Sequence, residues 1–225
     1  MTFSILGFCE KTKMVGIAIT TSSVSVGSRC PWVKAKSGAV STQNITDPSI
    51  GNEILNLLDK GINVSSALNK VMIGRNFSEY RQVAVIDIKG QTAFFNGDKI
   101  LGKNSVNEGK NCIAAGNLLR DTLLTKIMTD NFENNKHLHI ADNLIKSLLS
   151  GVNFGGEEGP VHSAALLIAQ NHSWPLVDLR IDWSESCPVK ELETLWVNYK
   201  PQMNDYTLRA VDPTRAPSYG VPGDE

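Results

Sequence analysis

The stretch Met1-Thr2-Phe3-Ser4-Ile5-Leu6-Gly7-Phe8-Cys9 decides how the rest of the chain is read. Its apolar run has none of the company of a secretory signal. No basic segment precedes it, no small-residue cleavage site follows, and Glu10, Lys11 and Lys13 come at once. The run is therefore expected to be the first strand of the fold, in a cytoplasmic protein. A charged turn leads into a second β-prone run at 14–20, which completes a hairpin. Two more hairpins are expected, 82–88 with 92–96 around Lys89-Gly90, and 163–169 with 176–181 around 171–174. Short extra strands are expected at 37–42 and 111–115.

Helical spacing fills the gaps. Ile50, Ile54, Leu57 and Leu58 follow i, i+4, i+7, i+8, with Asp47-Pro48 as the start and Gly61 as the stop. Val64, Ala67, Leu68 and Val71 repeat the pattern up to Gly74. Leu123, Leu124, Ile127 and Met128 mark a third helix. Ile140, Leu144, Ile145, Leu148 and Leu149 mark a fourth, ending at Gly151. Val189, Leu192, Leu195, Trp196 and Tyr199 mark a fifth, begun near Pro188. These stripes read as core faces.

Hairpins separated by helix pairs fit an α+β chain, a four-layer αββα sandwich with two mainly antiparallel sheets between helix layers. One domain is expected over 1–205. A Pro/Gly-rich tail over 206–225 is expected to be extended and to pack on the body or on a neighbouring subunit. A homo-oligomer, a dimer foremost, is the matching assembly.

Composition narrows the function classes. The chain has 225 residues, enough for one large domain at roughly 150 residues each. Lys plus Arg number 22 against 23 Asp plus Glu, a balance that argues against nucleic acid as a partner. No apolar run approaches the ~20 residues of a membrane span, so no membrane is expected. Cys9, Cys30, Cys112 and Cys187 are scattered and read as reduced thiols. The four histidines lack the spacing and neighbours of a zinc site, and neither a GxSxG motif nor a phosphate-binding glycine loop occurs, so no metal or cofactor is expected. A small-molecule substrate is the partner that remains.

Thr2 leads the candidates for chemistry. With Met1 removed it carries a hydroxyl nucleophile and its own base, an α-amine with an ordinary pKa of about 7.7–8.0. Asn117 and Gln43 each follow an expected strand, where an amide can donate to an oxyanion, a contact worth about 3–4 kcal/mol. Arg81 can clamp a carboxylate, with an ion pair to Glu79 or Asp87 as its plainer use. The loop Gly155-Gly156-Glu157-Glu158-Gly159-Pro160-Val161-His162 brings backbone room and two carboxylates before a strand. Glu157 and His162 are its candidate substrate contacts.

The start Thr2-Phe3-Ser4-Ile5, Val15-Gly16-Ile17-Ala18, Pro31-Trp32 and Gly38-Ala39-Val40-Ser41-Thr42-Gln43 resemble the DUF1028 family. So do Tyr80-Arg81-Gln82-Val83, Gly116-Asn117, Ser163-Ala164-Ala165, Val177-Asp178-Leu179-Arg180 and the ending Ala216-Pro217-Ser218-Tyr219-Gly220-Val221-Pro222-Gly223-Asp224-Glu225. That family is similar to the N-terminal-nucleophile (Ntn) hydrolases, the αββα group that includes the proteasome β subunits. The resemblance implies an amide-cleaving enzyme with Thr2 as nucleophile and no stated substrate. It also points to Lys34, 32 residues after Thr2, where proteasome-type enzymes hold a lysine beside the threonine. A nearby ammonium would lower the pKa of the amine. The acid that those enzymes carry near the end of the second strand is missing. Ile19-Thr20-Thr21-Ser22-Ser23 stands there, so Thr21 and Ser22 offer hydroxyls in its place. Relatives tend to read Gly-Gly-Asp-x-Arg-Gly-x-Gln-Ser where this chain has Glu157, Gly159, Pro160 and His162. The rival reading is a non-catalytic αββα protein that binds a small molecule or forms an oligomer.

Overall fold

The fold was taken from a computed structural model, which describes residues 1–223. Asp224 and Glu225, the end of the expected tail, lie outside the described residues. The chain is α+β, with every strand pairing antiparallel. β1 (Thr2–Phe8), β2 (Val15–Thr21), β7 (Ser105–Gly109), β8 (Cys112–Asn117), β9 (Ser163–Ala169) and β10 (Val177–Ile181) form a six-stranded sheet in the order β10-β9-β2-β1-β8-β7. β3 (Pro31–Lys34), β4 (Gly38–Asn44), β5 (Arg81–Asp87) and β6 (Thr92–Asn96) form a second sheet in that order.

All three expected hairpins are present. β3 and β7 were not foreseen, and both are short edge strands. Pro31 begins the first, at a position that needs no ladder donor, and Ser105-Val106-Asn107-Glu108-Gly109 is too polar to announce the second.

Three apolar clusters organise the packing. Phe3 and Ile5 face outward from β1 to join α3 (Leu124–Asn134), α4 (Ile140–Phe154) and α5 (Pro188–Tyr199) through Met128, Leu144 and Leu192. Leu6 and Phe8, on the opposite face, join Ile17, Ile19, Ala84 and Ile86 between the two sheets. Val40, Val83 and Val85 pack on α1 (Ser49–Asp59) and α2 (Val64–Met72) through Ile50, Ile54 and Leu68. β1 thus has packing on both faces, which is why its residues read as one apolar run and not as an alternation. The period of two survives in direction: Thr2 and Ser4 share the inter-sheet face with Leu6 and Phe8.

Two helix ends differ from expectation. α4 continues past Gly151 to Phe154 and stops at Gly155, whose φ of 133° an L side chain rarely adopts. Gly151 is there for close approach, since a β-carbon on it would stand 2.9 Å from Met128 Sδ and 3.1 Å from Phe3 Cε2. The tail is also not extended from 206 onward. α6 (Met203–Val211) occupies its first part, and the chain leaves it at Asp212, whose extended φ of −154° is what a residue before proline favours. Beyond it the tail folds back, with the Arg209 guanidinium 3.8 Å from the Tyr219 ring centre. Among the described residues, no helix is long and apolar enough to cross a membrane.

Candidate active site

Thr2 begins β1, opposite Thr21 of β2 on one side and Asn117 of β8 on the other. Residues opposite one another in an antiparallel pair project to the same face, so all three point between the sheets. Thr2 is 5% exposed and Thr21 1%. Their hydroxyl oxygens are 3.1 Å apart. Thr2 Oγ1 donates to the Met1 carbonyl oxygen at 2.6 Å, and Thr21 Oγ1 donates to the same oxygen in a very short bond. Ser23 Oγ lies 3.4 Å from Thr21 Oγ1 and accepts from Arg29 Nη2 at 2.6 Å. A line of polar contacts therefore runs from Thr2 to a guanidinium. Arg29 was missed in the sequence because no motif marks it. The turn that presents it depends on Ser25 in the left-handed region, φ 52°.

Gln43 and Asn117 belong to a buried polar network just beneath. Gln82 Nε2 donates to the Gly116 carbonyl at 3.1 Å, which turns Gln82 Oε1 toward Gln43 Nε2 at 2.8 Å and Asn117 Nδ2 at 3.1 Å. Ser4 and Ser41 hydroxyls donate to Gln43 Oε1 at 2.9 and 2.8 Å. Both amides expected as oxyanion donors therefore lie inside this network. Gln43 spends its donor and acceptor inside the network. Asn117 gives one N–H to Gln82, and its Oδ1 is buried with no partner. Asn117 thus keeps an unpartnered acceptor, and the bond to Gln82 uses one of the two N–H groups of its amide.

The α4–β9 loop forms the other wall. Arg120 N donates to the Gly156 carbonyl, Glu158 N to the Leu118 carbonyl, and Arg120 Nε to the Glu157 carbonyl, at 3.2, 2.9 and 3.1 Å. These bonds press Glu157 inward until it is 1% exposed. Neither carboxylate oxygen makes a hydrogen bond of ordinary geometry. Burial pushes the carboxyl up to about 8, opposed by the positive amino terminus and by the Ser22 hydroxyl and amide. Ser22 and Glu157 are thus brought together near Met1. A pocket of about 360 Å³, lined by Phe3, Gly155, Gly156, Glu157, Gly159 and Ser186 among others, opens beside them. His162 stands aside: its Nδ1 lies 2.8 Å from the Ser184 carbonyl oxygen and its ring stacks on Trp183 at 4.3 Å.

Lys34 is not brought to Thr2. Its Nζ binds Asp59 Oδ2 at 3.0 Å and Asn56 Oδ1 at 3.1 Å, both on α1. Lys34 pairs with Gly38, three residues down β4 from Ser41, while Thr2 lies two residues the other way from Ser4. Five strand residues separate the two levels, on the order of 17 Å. Arg81 forms neither expected ion pair. Its Nη1 donates to the Ile45 carbonyl, Glu79 pairs with Lys99 at 3.4 Å, and Asp87 Oδ1 accepts from the Lys89 and Gln91 amides. Burial pushes the Cys30 and Cys112 thiols up to about 11 and about 12, so neither supplies a thiolate near neutrality. Among the described residues, no three His, Cys, Asp or Glu side chains gather as a metal ion would require.

A family model described as "Family of unknown function (DUF1028)" matches residues 2–192. The chain belongs to the DUF1028 family. A DUF1028 protein from Silicibacter pomeroyi has a similar crystal structure, with a TM-score of 0.82 and 29% identity over 88% of this chain and 89% of that one. Anbu (ancestral beta-subunit) from Yersinia bercovieri is 9% identical with a TM-score of 0.38, over 91% of this chain and 97% of that one. A mutant Anbu from Hyphomicrobium sp. strain MC1 is 11% identical with a TM-score of 0.44, over 90% and 96%. At those scores the two Anbu likenesses carry no argument. No curated protein matches the chain.

Proposed function

We propose that this DUF1028 protein is an Ntn-type amidohydrolase on a four-layer αββα sandwich, with Thr2 as nucleophile once the bond before it is opened. The observation that carries the reading is the pair of hydroxyls, Thr2 and Thr21, held 3.1 Å apart at the buried head of β1 with a carbonyl oxygen between them. The three stacked apolar clusters support the layered architecture.

In this reading Thr2 Oγ1 attacks the carbonyl carbon of a small amide. Its proton passes to the Thr2 α-amine, directly or through one water, and on to the leaving nitrogen as the C–N bond breaks. Thr21 Oγ1 donates to the carbonyl oxygen as charge gathers on it, the same bond it makes to Met1. The free acceptor of Asn117, opposite Thr2 in the sheet, holds the amine. Water then cleaves the Thr2 ester and releases the acid. Lys34 has no part in this.

Intact mass of the purified protein, followed by labelling with a hydroxyl-directed acyl electrophile located by peptide mass, tests the reading. Loss of Met1 and labelling of wild type but not Thr2→Ala is the expected result. Equal labelling of both proteins refutes Thr2 as the nucleophile.

A further inference from the structure

The residue ahead of Thr2 is held as an acyl group at a nucleophile would be. The Met1 carbonyl oxygen receives the Thr2 and Thr21 hydroxyls. The Met1 side chain lies on Gly159, where a β-carbon would stand 2.8 Å from Met1 Cε and 3.4 Å from Sδ. The positively charged Met1 amine acts on Glu157, whose two carboxylate oxygens are otherwise without a hydrogen-bond donor of ordinary geometry. Burial favours the protonated form of this carboxyl, and an ammonium brought to it favours the ionised form through a charge-assisted bond. Opening the bond before Thr2 leaves this carboxylate, the glycine floor and the adjoining pocket of about 360 Å³ for another occupant.

We infer that the substrate is an aminoacyl amide with a free α-ammonium: Glu157 takes the ammonium, the space over Gly159 takes an unbranched apolar side chain, and Thr21 takes the carbonyl oxygen. The inference rests on Thr2 being the nucleophile, and it makes Glu157 a residue of substrate specificity. If Glu157 instead served the α-amine of Thr2, it would act on every substrate alike.

The test uses the whole chain released from a removable leader so that it begins at Thr2, checked by intact mass. L-methionine p-nitroanilide and its N-acetyl form are compared, and binding of L-methioninamide and N-acetyl-L-methioninamide is followed by calorimetry. The expected result is a kcat/KM at least about 100-fold higher for the free-amine anilide, because the acetyl form brings no cation to Glu157. Glu157→Gln is expected to collapse that ratio mainly by raising KM for the free-amine substrate. Equal turnover of the two anilides overturns the inference and leaves Thr2 as nucleophile. A lower kcat for both anilides in Glu157→Gln, with the ratio intact, overturns it also. Binding of L-methioninamide but not its acetyl form, with no turnover of either anilide, refutes the Thr2 reading and upholds the pocket. Neither turnover nor binding overturns both. The wild-type comparison stands even where Glu157→Gln fails to fold.

Discussion

The hydroxyls of Thr2 and Thr21 meet 3.1 Å apart across the β1–β2 pair, and both donate to one carbonyl oxygen. Thr21→Val keeps the branched shape and deletes only the hydroxyl. In the protein starting at Thr2, the kcat for an aminoacyl anilide is expected to fall by roughly 10- to 100-fold, with folding stability changed by no more than about 1 kcal/mol. Thr2→Ala should lose at least about 1000-fold. An unchanged kcat in Thr21→Val would remove Thr21 from the site.

Glu157 makes stability depend on pH in a definite direction. Its carboxyl is pushed up to about 8 in the folded chain from an ordinary 4.5. Between those values the folded chain keeps a proton that the unfolded chain has released. Stability therefore falls as pH rises through that window, by at most about 1.4 kcal/mol per unit, and the loss is complete above the folded value. Urea unfolding of the Met1-bearing chain at pH 5 and pH 8 reads this slope. Glu157→Gln is expected to flatten it, and equal slopes in the two proteins would show that Glu157 does not carry it.

Gln82 holds the network under the site together. Gln82→Leu strips a partner from the Gln43 amide, the Asn117 amide and the Gly116 carbonyl, all between the sheets. The expected cost is at least about 3 kcal/mol, seen as a lower midpoint in urea at unchanged slope. A cost under about 1 kcal/mol would mean that water replaces the side chain.

Lys34 serves as the negative control for the proteasome analogy. Its partners are Asp59 and Asn56 on the surface of α1. Lys34→Ala is expected to leave kcat/KM for the anilide unchanged and Tm little altered, as an exposed pair contributes little. A large loss of kcat would return Lys34 to the site.

Much of the architecture was legible in the chain. The run at 2–8 and the hairpins at 81–96 and 163–181 have the β-branched density and turn residues that leave few alternatives, and the apolar stripes of α1 to α5 sit where 3.6-residue spacing puts them. Errors fell where one residue type serves two purposes. Gly151 looks like a helix stop and is a contact point for Phe3 and Met128. The prolines and glycines after 212 suggested an extended tail from 206, although no Pro or Gly interrupts 202–212 and that segment became α6.

By itself the sequence determined the strand run that places Thr2 at the head of β1 and makes it a candidate, because strand propensity and period act between near neighbours. Only the tertiary structure decided what surrounds Thr2. Strand register set Thr21 and Asn117 beside it, the packing of the loop 155–162 on 118–120 carried Glu157 into the interior, and the pairing of β3 with β4 carried Lys34 away. Those neighbours are 19 to 155 residues distant along the chain, and spacing in sequence says nothing of distance once strands pair across sheets.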